Sequence, residues 1–138
     1  MDMIFVSPVP IEDVGKVWDK CKPYLSQATD RSGGRETILT LYSKIKAGTS
    51  TLWIMMVDNK IIASATTEVT QYQNLNVSFL GGSDMNVWLP EFINQLKIYA
   101  KHNHCSKIEL FGRKGWLREL KPFGFKQEPY IAMSLELK

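Results

Sequence analysis

The apolar positions of this chain change period along its length, and the changes mark its elements. Met3 to Val6 is a short apolar, β-prone run closed by Ser7-Pro8-Val9-Pro10. It reads as a first strand followed by a helix start, because proline suits a first helical turn. Ile11, Val14, Val17, Trp18, Cys21 and Leu25 then recur at steps of three and four, which places them on one helical face. Pro23 predicts a kink or an early end. Asp30-Arg31-Ser32-Gly33-Gly34 has loop composition. A second helix is predicted over Arg35 to Lys46, with Ile38, Leu39, Tyr42 and Ile45 on one side and Gly48 as its C-terminal cap.

From Thr51 the period shortens. Thr51 to Val57 is continuously apolar, Asp58-Asn59 is a turn, and Lys60 to Val69 returns, which is a hairpin signal. Leu75 to Leu80 is a further strand leading into Gly81-Gly82-Ser83-Asp84. Leu89, Phe92, Ile93, Leu96, Tyr99 and Ala100 then carry a long amphipathic helix. Lys107 to Phe111 reads as a strand, and Gly112 leads into a short helix through Leu120. Two closing strands are predicted around Phe125 to Gln127 and Tyr130 to Leu137. The class is α/β of the α+β type: a mixed, mostly antiparallel sheet of about seven strands flanked by about four helices.

Composition narrows the options. A chain of 138 residues with 44% hydrophobic and 22% charged residues is one domain by size and buries a core without metals or disulfides. No run approaches the roughly eighteen apolar residues of a membrane span, and the N-terminus lacks a secretory pattern. Cys21 and Cys105 read as reduced core thiols of a cytoplasmic protein. A net charge of +3 permits an anionic small ligand without calling for nucleic acid.

The order of elements resembles that of the GNAT superfamily of acetyltransferases, over nearly the whole chain. Two opening helices precede antiparallel strands. A strand, loop and long helix from Leu75 to Asn103 stand where that superfamily binds acetyl-CoA. The stretches Leu110-Phe-Gly-Arg-Lys-Gly-Trp116 and Phe123-Gly124-Phe125, with Thr51 to Val69, look most like small GNAT-like proteins of tailed bacteriophages. The resemblance implies a single acyltransferase domain over residues 1–138 that transfers an acetyl group from acetyl-CoA to an amine. A non-catalytic descendant, serving as a binding or structural module of a phage particle, is the alternative.

The superfamily holds the pyrophosphate of its cofactor with a loop of Arg or Gln, two variable residues, Gly, one variable residue, then Gly or Ala. Small residues let backbone N–H groups approach the phosphates. Counting back from Cys105 sets this pattern on Asp84 to Leu89. Asp84, Val87 and Leu89 then replace the signature residues, and a carboxylate at Asp84 repels phosphate. Gly81 and Gly82 leave open a shifted loop with N–H groups from Gly82 to Asn86. The plainer reading is a glycine turn with Ser83 or Asp84 capping the helix. The resemblance assigns cofactor contacts to Phe79, Leu80, Gly81, Gly82, Asn86, Val87 and Arg113.

Acyl transfer to an amine needs a base for the amine proton and a donor for the leaving thiolate. The tyrosine that many GNAT enzymes carry on their fourth helix corresponds to Leu120, which cannot donate. Glu68 is the candidate base and Tyr130 the candidate donor, with Tyr72 a second hydroxyl. A solvated carboxylate and half-buried aromatics are the plain alternatives. Arg113, Lys114 and Arg118 suit phosphates, an acidic partner or a solvated helix face. His102 and His104 face different ways at a helix end, so no metal is expected. The expected partners are a small-molecule or protein amine, or virion proteins for the structural alternative. A membrane is excluded and a homodimer through the C-terminal strands is allowed. The expected location is the cytoplasm, or the virion for a structural phage protein.

Overall fold

The computed structural model describes residues 3–112 and 114–137, the side chain of Lys114 excepted. Among these residues five strands are formed: β1 (Ile4–Val9), β2 (Thr51–Val57), β3 (Lys60–Val69), β4 (Leu75–Gly82) and β5 (Ile108–Leu110). The helices are α1 (Val14–Asp30), α2 (Ile38–Lys46), α3 (Met85–His102) and α4 (Lys114–Leu120), with 3-10 turns at Ile11–Asp13 and Lys121–Phe123. The sheet runs in the order β1-β2-β3-β4-β5. Its neighbours are antiparallel up to β4, and β4 pairs with β5 in parallel. The fold class is the mixed α+β arrangement expected.

The β2–β3 hairpin closes on Asp58 and Asn59, whose φ values of 51° and 68° are the left-handed pair that a two-residue turn with matching twist requires. Along β2, Leu52 and Ile54 face α1 and α2 while Trp53 and Met55 face α3. Both sheet faces are covered, which is why Thr51 to Val57 is apolar without alternation. On the α3 face the rings of Phe92 and Tyr99 meet Trp53 edge-on, at centroid distances of 5.8 and 5.2 Å. The Trp53 indole N–H donates to Thr67 Oγ1 at 3.0 Å, so the buried tryptophan leaves no orphaned donor. Leu25, Leu41, Ile45 and Leu52 fill the opposite face.

Four local readings are corrected. β1 continues through Pro8 to Val9; proline is accepted because β1 is an edge strand. Pro23 does not end α1, which runs on to Asp30. Both Pro23 and Asp19, whose carbonyl loses its helical donor, are exposed, so water can supply the missing bond. The second helix starts at Ile38 rather than Arg35, because Thr37 and Thr40 form a reciprocal capping box ahead of it. The two closing strands do not form. After the 3-10 turn at Phe123 the described chain joins no sheet, so the sheet has five strands among the described residues instead of about seven. Alternating apolar residues define a strand face, but a strand also needs a ladder partner, which a local pattern cannot supply.

Cys21 is wholly buried, and burial pushes its thiol above the ordinary range against a smaller opposing effect of the Ser64 hydroxyl. Burial also raises the Cys105 thiol. Both cysteines are free. No helix among the described residues is long and apolar enough to cross a membrane.

Candidate functional site

β4 and β5 lie side by side over a short stretch. Their ladder is Leu75 with Ile108, Asn76 with Glu109 and Val77 with Leu110. β5 then stops, while β4 continues to Gly82 along β3. The β4 edge from Ser78 onward therefore faces no strand among the described residues. The parting coincides with a bulge. Thr66 pairs with Phe79 and Thr67 with Val77, so Ser78 has no opposite number on β3. A bulge bends its strand and sharpens the local twist, which turns β4 away from β5. Backbone groups on such an edge can pair with an extended, amide-bearing ligand as though it were another strand.

Phe79 and Leu80 flank the open edge on opposite faces. Phe79 packs towards α1 and α2, and Leu80 towards α3. Gly81 and Gly82 are strand residues, not a turn; they pair with Ser64 and Ala63. Each has a packing reason to be glycine. A Cβ on Gly81 would lie 2.3 Å from the Tyr24 carbonyl oxygen in α1. One on Gly82, whose φ is +151°, would lie 2.3 Å from the Ala63 Cβ.

Only Ser83 and Asp84 join β4 to α3. The turn is held from both sides: the Ser83 amide donates to the Ile62 carbonyl at 3.0 Å, and the Trp88 indole N–H donates to the Ser83 carbonyl at 2.7 Å. Asp84 has φ 54° and occupies the cap position, but its side chain makes no capping bond, contrary to the capping role read from the sequence. Among the described residues the amides of Asp84, Met85 and Asn86 donate to nothing, while Val87 N–H donates to the Asp84 carbonyl at 2.9 Å. A helix start with free amides attracts an anion; the Asp84 carboxylate opposes it. Asn86 is exposed and Val87 half-buried, whereas Leu89 belongs to the core. The helix thus begins inside the stretch that the signature count treats as loop. Arg113 lies outside the described residues.

On the α1/α2 face a polar row crosses three strands in one register. Glu68 of β3 stands opposite Asn76 of β4, which stands opposite Glu109 of β5. Their neighbours Leu75, Val77, Ile108 and Leu110 point to the α3 side, so the alternation sends this row the other way. Glu68 accepts a hydrogen bond from Ser50 Oγ at 2.7 Å and lies 3.8 Å from Lys44 Nζ. Lys44 is itself 2.8 Å from Glu36. Hydrogen bonding to Glu36 raises the Lys44 ammonium despite some desolvation. Burial would push Glu36 up, but bonds from Lys44 and Thr40 outweigh it and hold that carboxyl below its ordinary range. Asn74 Nδ2 reaches Glu109 Oε2 at 3.5 Å, and Asn76 Nδ2 reaches Ser78 Oγ at 3.4 Å.

The two sequence candidates for catalysis are not brought together. Glu68 is separated from the open edge by the width of β4 and already holds Ser50 and Lys44. Tyr130 is exposed on the C-terminal segment, as Tyr72 is in the β3–β4 connection. Leu120 is buried in the α3-side core, so that position offers packing and no proton. Sequence reasoning passed over Glu109, which borders the gap. Its signal is visible in Lys107 to Phe111, where the charged Lys107 and Glu109 take the alternation positions facing away from the core. Among the described residues no group of three or more His, Cys, Asp or Glu is placed to hold a metal ion.

Solved acetyltransferases share this architecture. The ribosomal-protein-alanine N-acetyltransferase from Brucella melitensis biovar Abortus 2308 superposes with a TM-score of 0.69 at 11% identity, covering 99% of this chain and 100% of that one. The aminoglycoside N-acetyltransferase AAC(6')-Iy in complex with CoA gives 0.73 at 10% identity, with coverages of 99% and 96%. A predicted acetyltransferase with acetyl-CoA from Clostridium acetobutylicum gives 0.63 at 18% identity, again covering 99% and 96%. No protein-family model matches the sequence, and no curated protein matches it either. The chain has the GNAT acetyltransferase fold, reached by a sequence far from those of the solved structures.

Proposed function

We propose that this chain is an acetyl-CoA-dependent N-acyltransferase with a reduced pyrophosphate cradle. The observation that carries the reading is the parting of β4 and β5 after Val77 and Leu110, in a fold whose solved examples include complexes with CoA and acetyl-CoA. The open edge beside Phe79, Leu80 and Gly81 suits the amide-bearing arm of that cofactor. The two-residue turn suits its pyrophosphate less well: three free amides from Asp84 to Asn86 attract it, and the Asp84 carboxylate repels it. Acetyl-CoA, when bound, supplies the acetyl group.

The chain's own residues then have separable tasks. The β4 edge orients the thioester arm. Glu109, with Glu68 behind it, draws a cationic amine to the α1/α2 face and takes its proton, so that the neutral nitrogen can attack. The amide bond forms as the carbon–sulfur bond breaks, and CoA leaves as its thiol. Leu120 supplies no proton, so the leaving sulfur takes one from water or from a hydroxyl such as that of Tyr130. Arg113 is a further candidate for the phosphates. An amine is also the acceptor class suggested by a fold neighbour solved as an aminoglycoside acetyltransferase with sisomicin.

Calorimetric titration with acetyl-CoA and with S-acetylpantetheine, which lacks the nucleotide and pyrophosphate, tests this reading. Both should bind, with dissociation constants within about tenfold, or about 1.4 kcal/mol. Binding of acetyl-CoA alone would overturn the reduced cradle. Binding of neither would overturn the enzyme reading and favour a non-catalytic module, including a phage structural role.

A further inference from the structure

We propose that a cavity at the C-terminal end of α3 is a binding site for a small neutral polyol or monosaccharide. It lies between that helix end, the first residues of β2 and β4 and the last residues of β3, beside the loop from α2 to β2. Its volume is about 270 Å³, room for about nine water molecules at about 30 Å³ each. Leu75 and Thr67, 0 and 1% exposed, form its floor, while Gly48, Thr49 and Val69 are exposed at its mouth. It is separate from the gap between β4 and β5. Leu75 begins β4 and Gly82 ends it, so the cavity stands about 20 Å along the strand from the glycine pair. Binding here is independent of acyl transfer.

Three hydroxyls and a carboxamide that line the cavity have bonding capacity to spare. Thr67 Oγ1 accepts the Trp53 indole N–H at 3.0 Å, and among the described residues its own hydrogen has no acceptor. Thr51 Oγ1 and Tyr99 Oη lie 3.1 Å apart. One of them donates to the other, which leaves the second hydroxyl hydrogen over. The Asn103 amide nitrogen donates to the Tyr99 carbonyl at 2.8 Å, so the carboxamide is oriented and its oxygen remains an acceptor. Two hydroxyl hydrogens and one amide oxygen suit a ligand whose groups both accept and donate, as alcohol hydroxyls do.

Charge selects the class of ligand. No charged side chain lines the cavity among the described residues. Glu68, between Thr67 and Val69 in β3, points through the sheet to Ser50 and Lys44 on the opposite face. An anion would be enclosed without a counter-charge, beside the negative end of the α3 dipole. A cation would meet hydroxyl hydrogens and no carboxylate. A wholly apolar ligand would leave the Thr67 and Tyr99 hydroxyls unpaired. A neutral polyol avoids all three costs, and its carbon-bound hydrogens can rest on Leu75 and Val69.

Two-dimensional amide NMR of the full chain tests the site, with separate titrations of ribitol, glucose, gluconate and protonated glucosamine. Ribitol or glucose should shift the amides of Thr49, Thr51, Thr67 and Asn103 saturably. The dissociation constant should be on the order of 1 mM, as suits a ligand of about a dozen heavy atoms. Tyr99→Phe should weaken this binding about 3–10-fold, the worth of one neutral hydrogen bond. Thr49→Trp, at the exposed mouth, should abolish the shifts with unchanged circular dichroism and melting. Equal or tighter binding of either charged sugar would overturn the neutral class. Shifts centred elsewhere, or shifts that both variants leave intact, would overturn the site. So would the absence of saturable shifts at about tenfold above the expected constant.

Discussion

Replacing Gly81 with alanine puts a carbon 2.3 Å from the Tyr24 carbonyl oxygen and 3.0 Å from its carbon. Ordinary van der Waals contact begins near 3.4 Å, so β4 and α1 must separate by about 1 Å. Neither atom belongs to a side chain that could rotate aside. Overpacking of this kind costs typically 1–3 kcal/mol, and a backbone obstacle places Gly81→Ala at the upper end, about 3 kcal/mol. The gain from a less flexible unfolded chain, about 0.4–1 kcal/mol, opposes this without reversing it. For a chain of this length about 1 kcal/mol moves the melting temperature by about 3–5 °C, so a fall of about 10 °C is expected in a thermal melt followed by circular dichroism. Gly15→Ala is the control. It sits in α1 with nothing within 4 Å of the added carbon and should gain about 0.5–1 kcal/mol. A Gly81→Ala melt within about 2 °C of wild type, which is under 1 kcal/mol, would refute the close-approach argument. The same geometry governs any binding experiment at this loop. A bulky residue at Gly82 meets Ala63 whether or not a cofactor binds, so loss of binding there would not locate the cofactor.

Asp84→Arg tests the helix start without disturbing packing. Reversing one charge about 6 Å from a phosphate in water is worth about 1.4 kcal/mol, or about tenfold tighter acetyl-CoA binding, with no change for S-acetylpantetheine. Equal effects on both ligands would show that the nucleotide end lies elsewhere. Glu109→Gln should lower the acyl-transfer rate by about 100-fold or more, with KM for acetyl-CoA unchanged, when thiol release is followed over a panel of amines. Glu68→Gln should act mainly on stability, and the opposite ranking would assign the base to Glu68. Acid should weaken the fold through Glu36. Its folded carboxyl titrates below its unfolded value, so the stabilisation is complete above the unfolded pKa and is lost as pH falls through the folded one. Glu36→Gln should flatten that acid limb in urea unfolding measured against pH; an unchanged slope would sink the assignment.

Most of the fold was legible because its signals are local. Asp58-Asn59 announces the hairpin by residue type, and the spacing from Leu89 to Ala100 announces α3. The capping pair Thr37 and Thr40 was equally local and could have moved the start of α2. The remaining features depend on partners distant in sequence. Gly81 is glycine because Tyr24 passes over it, and nothing near Gly81 says so. Glu68, Asn76 and Glu109 form a row only through the registers of two ladders. The segment after Pro129 carries a faithful strand pattern, yet it joins no sheet among the described residues. The signature count from Asp84 to Leu89 falls largely inside α3 for a related reason. Counting assumed a loop of ordinary length, whereas Trp88 locks Ser83 and lets α3 begin at Met85.

Pro8 in β1 gives the sheet two unlike margins. A proline one residue from the end of a border strand withholds one donor from a newcomer and keeps its ring in the way, so templated growth on that side is discouraged. The margin at β5 carries no such guard, and its strand is short. A chain with one receptive border can be completed but cannot be extended indefinitely. Stacking into fibres would require both borders to accept strands. This asymmetry confines strand addition to one margin of the sheet.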